Sequence, residues 1–315
     1  MTQTAIIIVS WNSCEDLRLC LESLKGNIPQ NCEILVVDNA STDETPQMVK
    51  RDFPWVRLLD QTENLGFAKA NNLAAASTDA EYLMILNPDT RVYPEAIPSL
   101  ISFLEETPRA GLAAPLLLDK GGVPIPSVFR FPSLWNYWTE HSIFLWIREK
   151  IRNKIPMSQD QGKGFSCKSK EIDWATGAAF MVRRSALGGD PLFDERFFLY
   201  SEDADLCRRL MQKGWKRYIY PRAKVIHSHR GSSRKALART IVQLFQSMDL
   251  YFGLHKGLFK RFLLRCFICL DMVIRLLLLM IFPRKQAFHA ENEERRKAYK
   301  EVIRTLHPLR LITSR

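Results

Sequence analysis

No G-x-G-x-x-G follows the first apolar run of this sequence, and no Walker-type lysine loop occurs anywhere in it. Dinucleotide oxidoreductases and P-loop enzymes are therefore disfavoured. There is no internal repeat and no low-complexity tract. The seven cysteines, an odd number scattered from Cys14 to Cys269, do not make a disulfide framework. Reduced thiols in a cytosol-facing chain are the simpler reading. Cys266 and Cys269 form a C-x-x-C, but without a second pair and within a greasy helix, so packing accounts for them better than a metal. The start has neither a basic n-region nor a cleavage site, which argues against a secretory signal.

What is present is a chain of 315 residues, 46% hydrophobic and 25% charged, enough to bury a substantial core in one large or two ordinary domains. The net charge of +11 is unevenly spread. Residues 1–100 carry 7 Lys/Arg against 14 Asp/Glu, a net −7, whereas residues 101–251 and 252–315 each carry +9. A basic rear points to nucleic acid or to an anionic membrane surface.

The first hundred residues alternate short apolar runs with helix-period segments. Ala5–Ser10, Glu33–Asp38, Trp55–Leu59 and Tyr82–Asn87 read as strands. Glu15–Leu24, Phe67–Ala76 and Pro94–Glu105 read as helices between or after them. This rhythm predicts an α/β fold with a parallel, doubly wound sheet. Residues 115–170 are less regular and rich in aromatics. An apolar strand (AAFMV), a helix from Glu202 to Lys213 closed by Gly214, and a strand ending in KVIH follow.

From about Leu237 the pattern is helical. Leu258–Phe282 is long and apolar but contains Lys260, Arg261, Arg265, Asp271 and Arg275. Each charge at a bilayer centre costs about 2.5–3.5 kcal/mol, which disfavours a span. At about 100° per residue the five fall within an arc of roughly 140°. That pattern predicts an amphipathic helix lying in a membrane interface with its arginines towards headgroups. The alternative is a helix packed on the domain with a charged outer face. The tail pairs its arginines with a lipid-sized apolar face instead of forming a groove of stacking aromatics, so no nucleic-acid partner is expected.

In a doubly wound sheet, ligands bind beyond the carboxyl ends of the strands. There stand Ser10-Trp11-Asn12, Asp38-Asn39 and Asn87-Pro88-Asp89. Asp89 is a natural hard ligand for a metal bound to a diphosphate. Alternatively it is a turn residue of N-P-D-T. A second acidic cluster, Glu202-Asp203-Ala204-Asp205, suits the first turn of a helix capped by Ser201. Three acids in four residues exceed what capping requires, and one of them is suited to act as a general base. His227 and His229, beside a basic turn, are either packed residues or metal and phosphate contacts.

With these residues in place the chain resembles glycosyltransferase family 2, in particular its bacterial rhamnosyltransferase-like branch. The likeness runs from about Ile6 to Ser233 through VSWN, VVDNASTD, ENLGFAKANN, LNPDT, DWATGAAFMVRR, FDERFFLYSEDADLCRR and VIHSHRGSS. It implies an A-type glycosyltransferase fold over residues 1–236, with a nucleotide-sugar-binding half (1–100) and an acceptor half (101–236). Residues 237–315 would then be a helical, membrane-associating tail. On the donor side it implies Ser10, Trp11, Asn12, Asp38, Asn39, Asn64, Gly66, Lys69, Asn87 and Asp89. On the acceptor side it implies Trp174, Thr176, Gly177 and Glu202. Asp203 matches the catalytic base, with Glu202 touching the acceptor or orienting the site. Asp89 matches the last acid of a D-x-D motif whose first acid is Asn87 here. His227, or the nearby His229, matches the late metal-binding histidine, the metal being Mg²⁺ or Mn²⁺.

The activity implied is inverting transfer of a sugar, rhamnose from dTDP-rhamnose, to a lipid-linked saccharide during cell-surface polysaccharide synthesis. It would take place on the cytoplasmic face of the membrane by a peripheral enzyme. UDP-galactofuranose, UDP-GlcNAc or a mannosyl nucleotide are alternative donors, and a non-catalytic membrane scaffold is the reading from another class. Intact Asp89 and Glu202-Asp203 argue against the scaffold.

Overall fold

The computed structural model describes residues 3–140, 168–228, 237–281 and 289–313. Cys167 and His229 lie outside the described residues. In chain order the strands are β1 (Thr4–Ser10), β2 (Cys32–Asp38), β3 (Arg57–Asp60), β4 (Tyr82–Leu86), β5 (Thr90–Val92) and β6 (Ala110–Leu118). They continue with β7 (Val128–Phe129), β8 (Lys170–Glu171), β9 (Trp174–Ala175), β10 (Ala179–Arg183) and β11 (Lys216–His227). Nine of them form one mixed, mostly parallel sheet in the order β3-β2-β1-β4-β10-β6-β11-β5, with β8 beside β11. β7 and β9 make a separate antiparallel pair.

The parallel half matches the apolar runs. Ala5 to Ile8 are fully buried, as a strand covered on both faces must be. Ile6, Ile8, Ile34, Val36, Met84 and Leu86 share a core with Leu17, Leu21, Met48 and Leu100 from the helices. Alternation turns Ile7, Leu35 and Ile85 to the opposite face. β3 begins at Arg57 and not at Trp55, because Phe53–Val56 forms a turn closed by the Val56 N–H on the Phe53 carbonyl at 2.9 Å.

β10 then runs antiparallel to both β4 and β6, and breaks the parallel series at the middle of the sheet. β6, buried along its whole length, pairs in parallel with β11. Their ladder shifts register between Tyr220 and Lys224, opposite Pro115, which has no N–H to offer.

By its internal contacts the chain divides into two units. The first, Met1–Phe131, Gln159–Phe198 and Glu202–Ser232, holds both sheets. The second, Pro132–Ser158, Leu199–Ser201 and Ser233–Arg315, is mostly helical where described, apart from the irregular Leu199–Ser201. The short helix Leu134–Glu140, placed by the sequence in the acceptor half, belongs to this second unit.

Within the second unit, helices Leu237–His255, Leu258–Ile281 and His289–Leu306 pack against one another. Apart from Lys260 in the first turn, the polar arc of Leu258–Ile281 faces inward, contrary to both readings of the sequence. Arg261 and Arg265 each grip the buried Asp249 through two hydrogen bonds of 2.6–3.0 Å. Arg275 pairs with the buried Asp271 at 2.8 Å. The arginines therefore neutralise carboxylates inside the unit and do not meet headgroups. Among the described residues, no helix is long and apolar enough to cross a membrane.

Candidate active site

All the site residues expected from the sequence that the structure describes fall in the first unit. Parallel register brings Ser10 beside Asp38 at the carboxyl ends of β1 and β2. The chain then turns sharply on both sides: Asn12 and Ala40 adopt left-handed φ values of +50° and +59°. Asn12 is locked to the loop after β2. Its N–H donates to Ser41 Oγ at 2.8 Å, and its Oδ1 accepts the Thr42 N–H at 2.7 Å. Asp38 is buried and accepts the Ser41 N–H at 2.8 Å, while its Oδ1 has no partner. Burial, partly offset by the Ser41 hydrogen bonds, holds its carboxyl above the ordinary value.

Asn39 ties this edge to the ENLGF segment: it donates to the Gly66 carbonyl at 3.0 Å and accepts the Leu65 N–H at 3.1 Å. Asn64 Oδ1 accepts the Gly66 N–H at 3.0 Å. Gly66 opens the helix Gly66–Ala76 at φ +80°, and a Cβ there would lie 2.6 Å from the Phe198 carbonyl oxygen. No other residue fits that position. Lys69, one turn further along, is exposed. The structure thus joins Ser10, Asn12, Asp38, Asn39, Asn64 and Gly66 into one hydrogen-bonded rim.

The second part lies at the end of β4. The Asn87 N–H donates to the Ala178 carbonyl at 2.9 Å, and the Asn87 carbonyl accepts the Thr90 hydroxyl at 2.6 Å. β5 then pairs with β11 so that Thr90 stands opposite His227. This register sets His227 Nε2 3.1 Å from Asp89 Oδ1, both side chains being largely buried. The Ser228 N–H closes the turn on the Asp89 carbonyl at 3.0 Å. A carboxylate oxygen and an imidazole nitrogen at this spacing suit two adjacent ligands of one divalent ion with bonds of about 2.1 Å. No group of three or more metal-ligating side chains occurs among the described residues. Two protein ligands suffice for Mg²⁺ or Mn²⁺ whose other positions are filled by water and substrate phosphates.

The third part is the start of the helix Glu202–Gln212. Asp203 Oδ2 accepts the Gly177 N–H at 2.9 Å, and its Oδ1 accepts the Ala204 N–H at 2.8 Å. Both Glu202 and Asp203 are buried. Burial pushes the Asp203 carboxyl up, opposed by these backbone hydrogen bonds. Burial and the adjacent Asp203 charge raise Glu202 well above its ordinary value, and its Oε2 has no partner. Asp205, by contrast, is paired with Arg209 at 2.8 Å. Consecutive residues therefore link the acidic sites, Gly177 to Asp203 and Ala178 to Asn87. Thr176 donates its N–H to the Ser127 carbonyl at 3.0 Å, and Trp174 stacks on Phe129 with ring centres 4.8 Å apart.

Sequence reasoning did not single out Ser41, Thr42 or Phe198. The first two lie within VVDNASTD and are visible as turn formers. Phe198 acts through its backbone carbonyl, which accepts the Phe67 N–H at 2.7 Å and leaves no mark on side-chain patterns.

The glycosyl transferase family 2 model matches residues 5–187, more than half of the chain. The protein belongs to this family. It is a glycosyltransferase of the rhamnosyltransferase-like branch. It is 31% identical over 242 residues to an N-acetylglucosaminyl-diphospho-decaprenol L-rhamnosyltransferase of Mycobacterium tuberculosis, covering 70% of this chain and 75% of that one. It is 28% identical to the rhamnosyltransferase WbbL of Escherichia coli over 232 residues, 70% of this chain and 82% of that one. Among solved structures it is similar to GalNAc-T7 with UDP, GalNAc and Mn²⁺, at a TM-score of 0.54 and 15% identity. That match covers 73% of this chain and only 44% of the other. Staphylococcus aureus TarS 1–349 gives a TM-score of 0.51 at 14% identity, over 96% of this chain and 81% of that one. The fold is the A-type glycosyltransferase fold.

Proposed function

We propose that this glycosyltransferase moves rhamnose from dTDP-rhamnose to a lipid-linked saccharide, with inversion, in cell-surface polysaccharide synthesis. The observation that carries the mechanism is the Gly177–Ala178 link between a buried, hydrogen-bonded Asp203 and the Asp89–His227 pair. Similarity to an N-acetylglucosaminyl-diphospho-decaprenol L-rhamnosyltransferase and to a second rhamnosyltransferase supports the sugar and the class of acceptor.

Trp11, Asn12, Asp38 and Asn39 hold the nucleobase and ribose, while Asn64, Gly66 and Lys69 line the path towards the sugar. Trp174, Thr176, Gly177 and Glu202 form the acceptor side. The Asp203 carboxylate takes the proton of an acceptor hydroxyl, and that oxygen attacks the anomeric carbon. The bond from that carbon to the diphosphate breaks, and the nucleoside diphosphate leaves. One displacement inverts the centre, and no second carboxylate nucleophile is needed. Glu202, its carboxyl raised by burial and the adjacent Asp203 charge, orients the acceptor through a hydrogen bond. Asp89 and His227 hold Mg²⁺ or Mn²⁺, which when bound neutralises charge on the leaving diphosphate. The enzyme works as a peripheral protein on the cytoplasmic face of the membrane, where its lipid-linked acceptor stands.

The test is a donor screen with purified full-length protein, Mn²⁺ and a lipid-diphosphate-linked GlcNAc acceptor. Release of dTDP from dTDP-rhamnose, with a product of inverted anomeric configuration, is expected. Turnover confined to UDP-galactofuranose, UDP-GlcNAc or a mannosyl nucleotide would reassign the donor.

A further inference from the structure

The helix Leu258–Ile281 presents its two faces the opposite way round from a helix in water. Of its five charged residues only Lys260, in the first turn, is exposed. Arg265 and Asp271 are 7% and 4% exposed, and Arg261, Arg265 and Arg275 are spent on Asp249 and Asp271 within the unit. The outward face instead carries Phe259, Phe267, Leu270, Val273, Leu277 and Met280, with exposures of 40–74%. Soluble proteins rarely leave so continuous an apolar strip uncovered.

We propose that this face is inserted into the boundary of a lipid bilayer, so that apolar side chains and not arginines bear the attachment. The inference deepens the peripheral-membrane reading above and rests on it for the partner. Two further observations favour a bilayer. Helix Leu134–Glu140, packed against this one in the same unit, exposes Trp135 and Trp138 with ring centres 5.8 Å apart. Paired exposed indoles suit the headgroup level of a membrane. Lys260, exposed in the first turn beside the apolar strip, complements anionic lipid. A second copy of the chain suits it less well. A helix of 24 residues offers a strip of roughly 36 by 10 Å, under half of the roughly 800 Å² per partner in a standard interface.

The experiment is vesicle flotation of the full chain, with neither donor nor acceptor present, so that loss of turnover and loss of binding are read separately. Wild type is expected to float with vesicles of phosphatidylcholine alone and to stay bound in high salt. Leu270→Glu with Leu277→Glu, both at exposed positions, is expected to lower partitioning by roughly 100-fold or more with an unchanged melting temperature. Donor hydrolysis in solution should be unaffected, and Lys260→Ala should weaken binding by less than about threefold. Attachment only to phosphatidylglycerol-containing vesicles, with release by salt, would overturn the proposal in favour of electrostatic binding. Unchanged flotation of the double variant would overturn it too, as would its conversion of a wild-type dimer into a monomer in sedimentation. Should the double variant unfold, quenching of wild-type tryptophan fluorescence by brominated phosphatidylcholine decides. Strong quenching supports insertion, and none refutes it.

Discussion

Asp203 accepts the backbone N–H of Gly177 on one carboxylate oxygen and that of Ala204 on the other, at 2.9 and 2.8 Å. These bonds fix the carboxylate and restrain the rise in its pKa that burial alone would give. An asparagine retains one acceptor oxygen for Gly177 but cannot take a proton. Asp203→Asn is therefore expected to lower kcat by about 10²–10⁴-fold with little change in donor KM. Steady-state kinetics with saturating acceptor measure this. Near-normal kcat would move the base to another residue.

The same burial predicts the pH behaviour. Asp203 titrates near 6 and Glu202 higher than an ordinary carboxyl, both raised first by burial. Activity should rise with pH through about 6 as Asp203 ionises, then level off, and Asp203→Asn should lose this limb. For stability the sign is opposite. A carboxyl whose pKa is raised on folding favours the folded state while both states are protonated, and that advantage is lost as pH rises from about 4 through 6. At neutral pH the charged site costs stability, so the wild-type melting temperature should fall as pH rises from about 4 through 6, and Asp203→Asn should show less of that fall. The same pH dependence of melting in wild type and variant would contradict this account.

Asp89 and His227 make a separate prediction. Asp89→Asn and His227→Ala should each raise the Mn²⁺ concentration for half-maximal activity by roughly tenfold or more. They should also weaken Mn²⁺ binding in the presence of the nucleoside diphosphate, measured by titration calorimetry without turnover. Full activity in EDTA would remove the metal from the mechanism.

Much of this site was legible because parallel strands announce themselves as continuous apolar runs. The residues just after them, Ser10, Asp38 and Asn87, then fall at one edge of the sheet. The direction of β10 was not legible, since AAFMV reads alike in either sense and only its partners make it antiparallel. β6 escaped notice because Pro115 interrupts an otherwise apolar run, and its tolerance depends on the register shift in β11. In Leu258–Ile281, periodicity showed that two faces differ, but not which one turns inward. That is decided by Asp249, twelve residues before Arg261 and on another helix.

Gly66 tests the donor rim. Alanine at φ +80° costs about 1–2 kcal/mol in backbone strain. Its Cβ would also press on the Phe198 carbonyl at 2.6 Å, where a backbone atom cannot easily yield. Because Asn39 and Asn64 both anchor on Gly66, Gly66→Ala should lower the melting temperature and raise donor KM together. A variant with wild-type stability and KM would show that the loop accommodates a side chain, and would detach it from the donor site.

Asp249 tests the inverted helix. It is buried, yet its pKa is lowered, because hydrogen bonds and charge from Arg265 and Arg261 outweigh the effect of burial. Asp249→Ala leaves Arg265 buried without a counter-charge and should destabilise the second unit by about 3–5 kcal/mol. Replacing Asp249, Arg261 and Arg265 together by leucine or methionine should recover most of that loss, since an apolar trio needs no desolvation of charge. The pH sign also follows. A carboxyl whose pKa is depressed on folding stabilises above its unfolded value of about 4, and that stability is lost as pH falls through the lower folded value. Wild type should therefore show an acid-induced loss of helical signal below about pH 4 that Asp249→Ala lacks. Melting of the alanine variant at the wild-type temperature would mean that the arginines do not depend on Asp249, and the inward polar face would lose its physical basis.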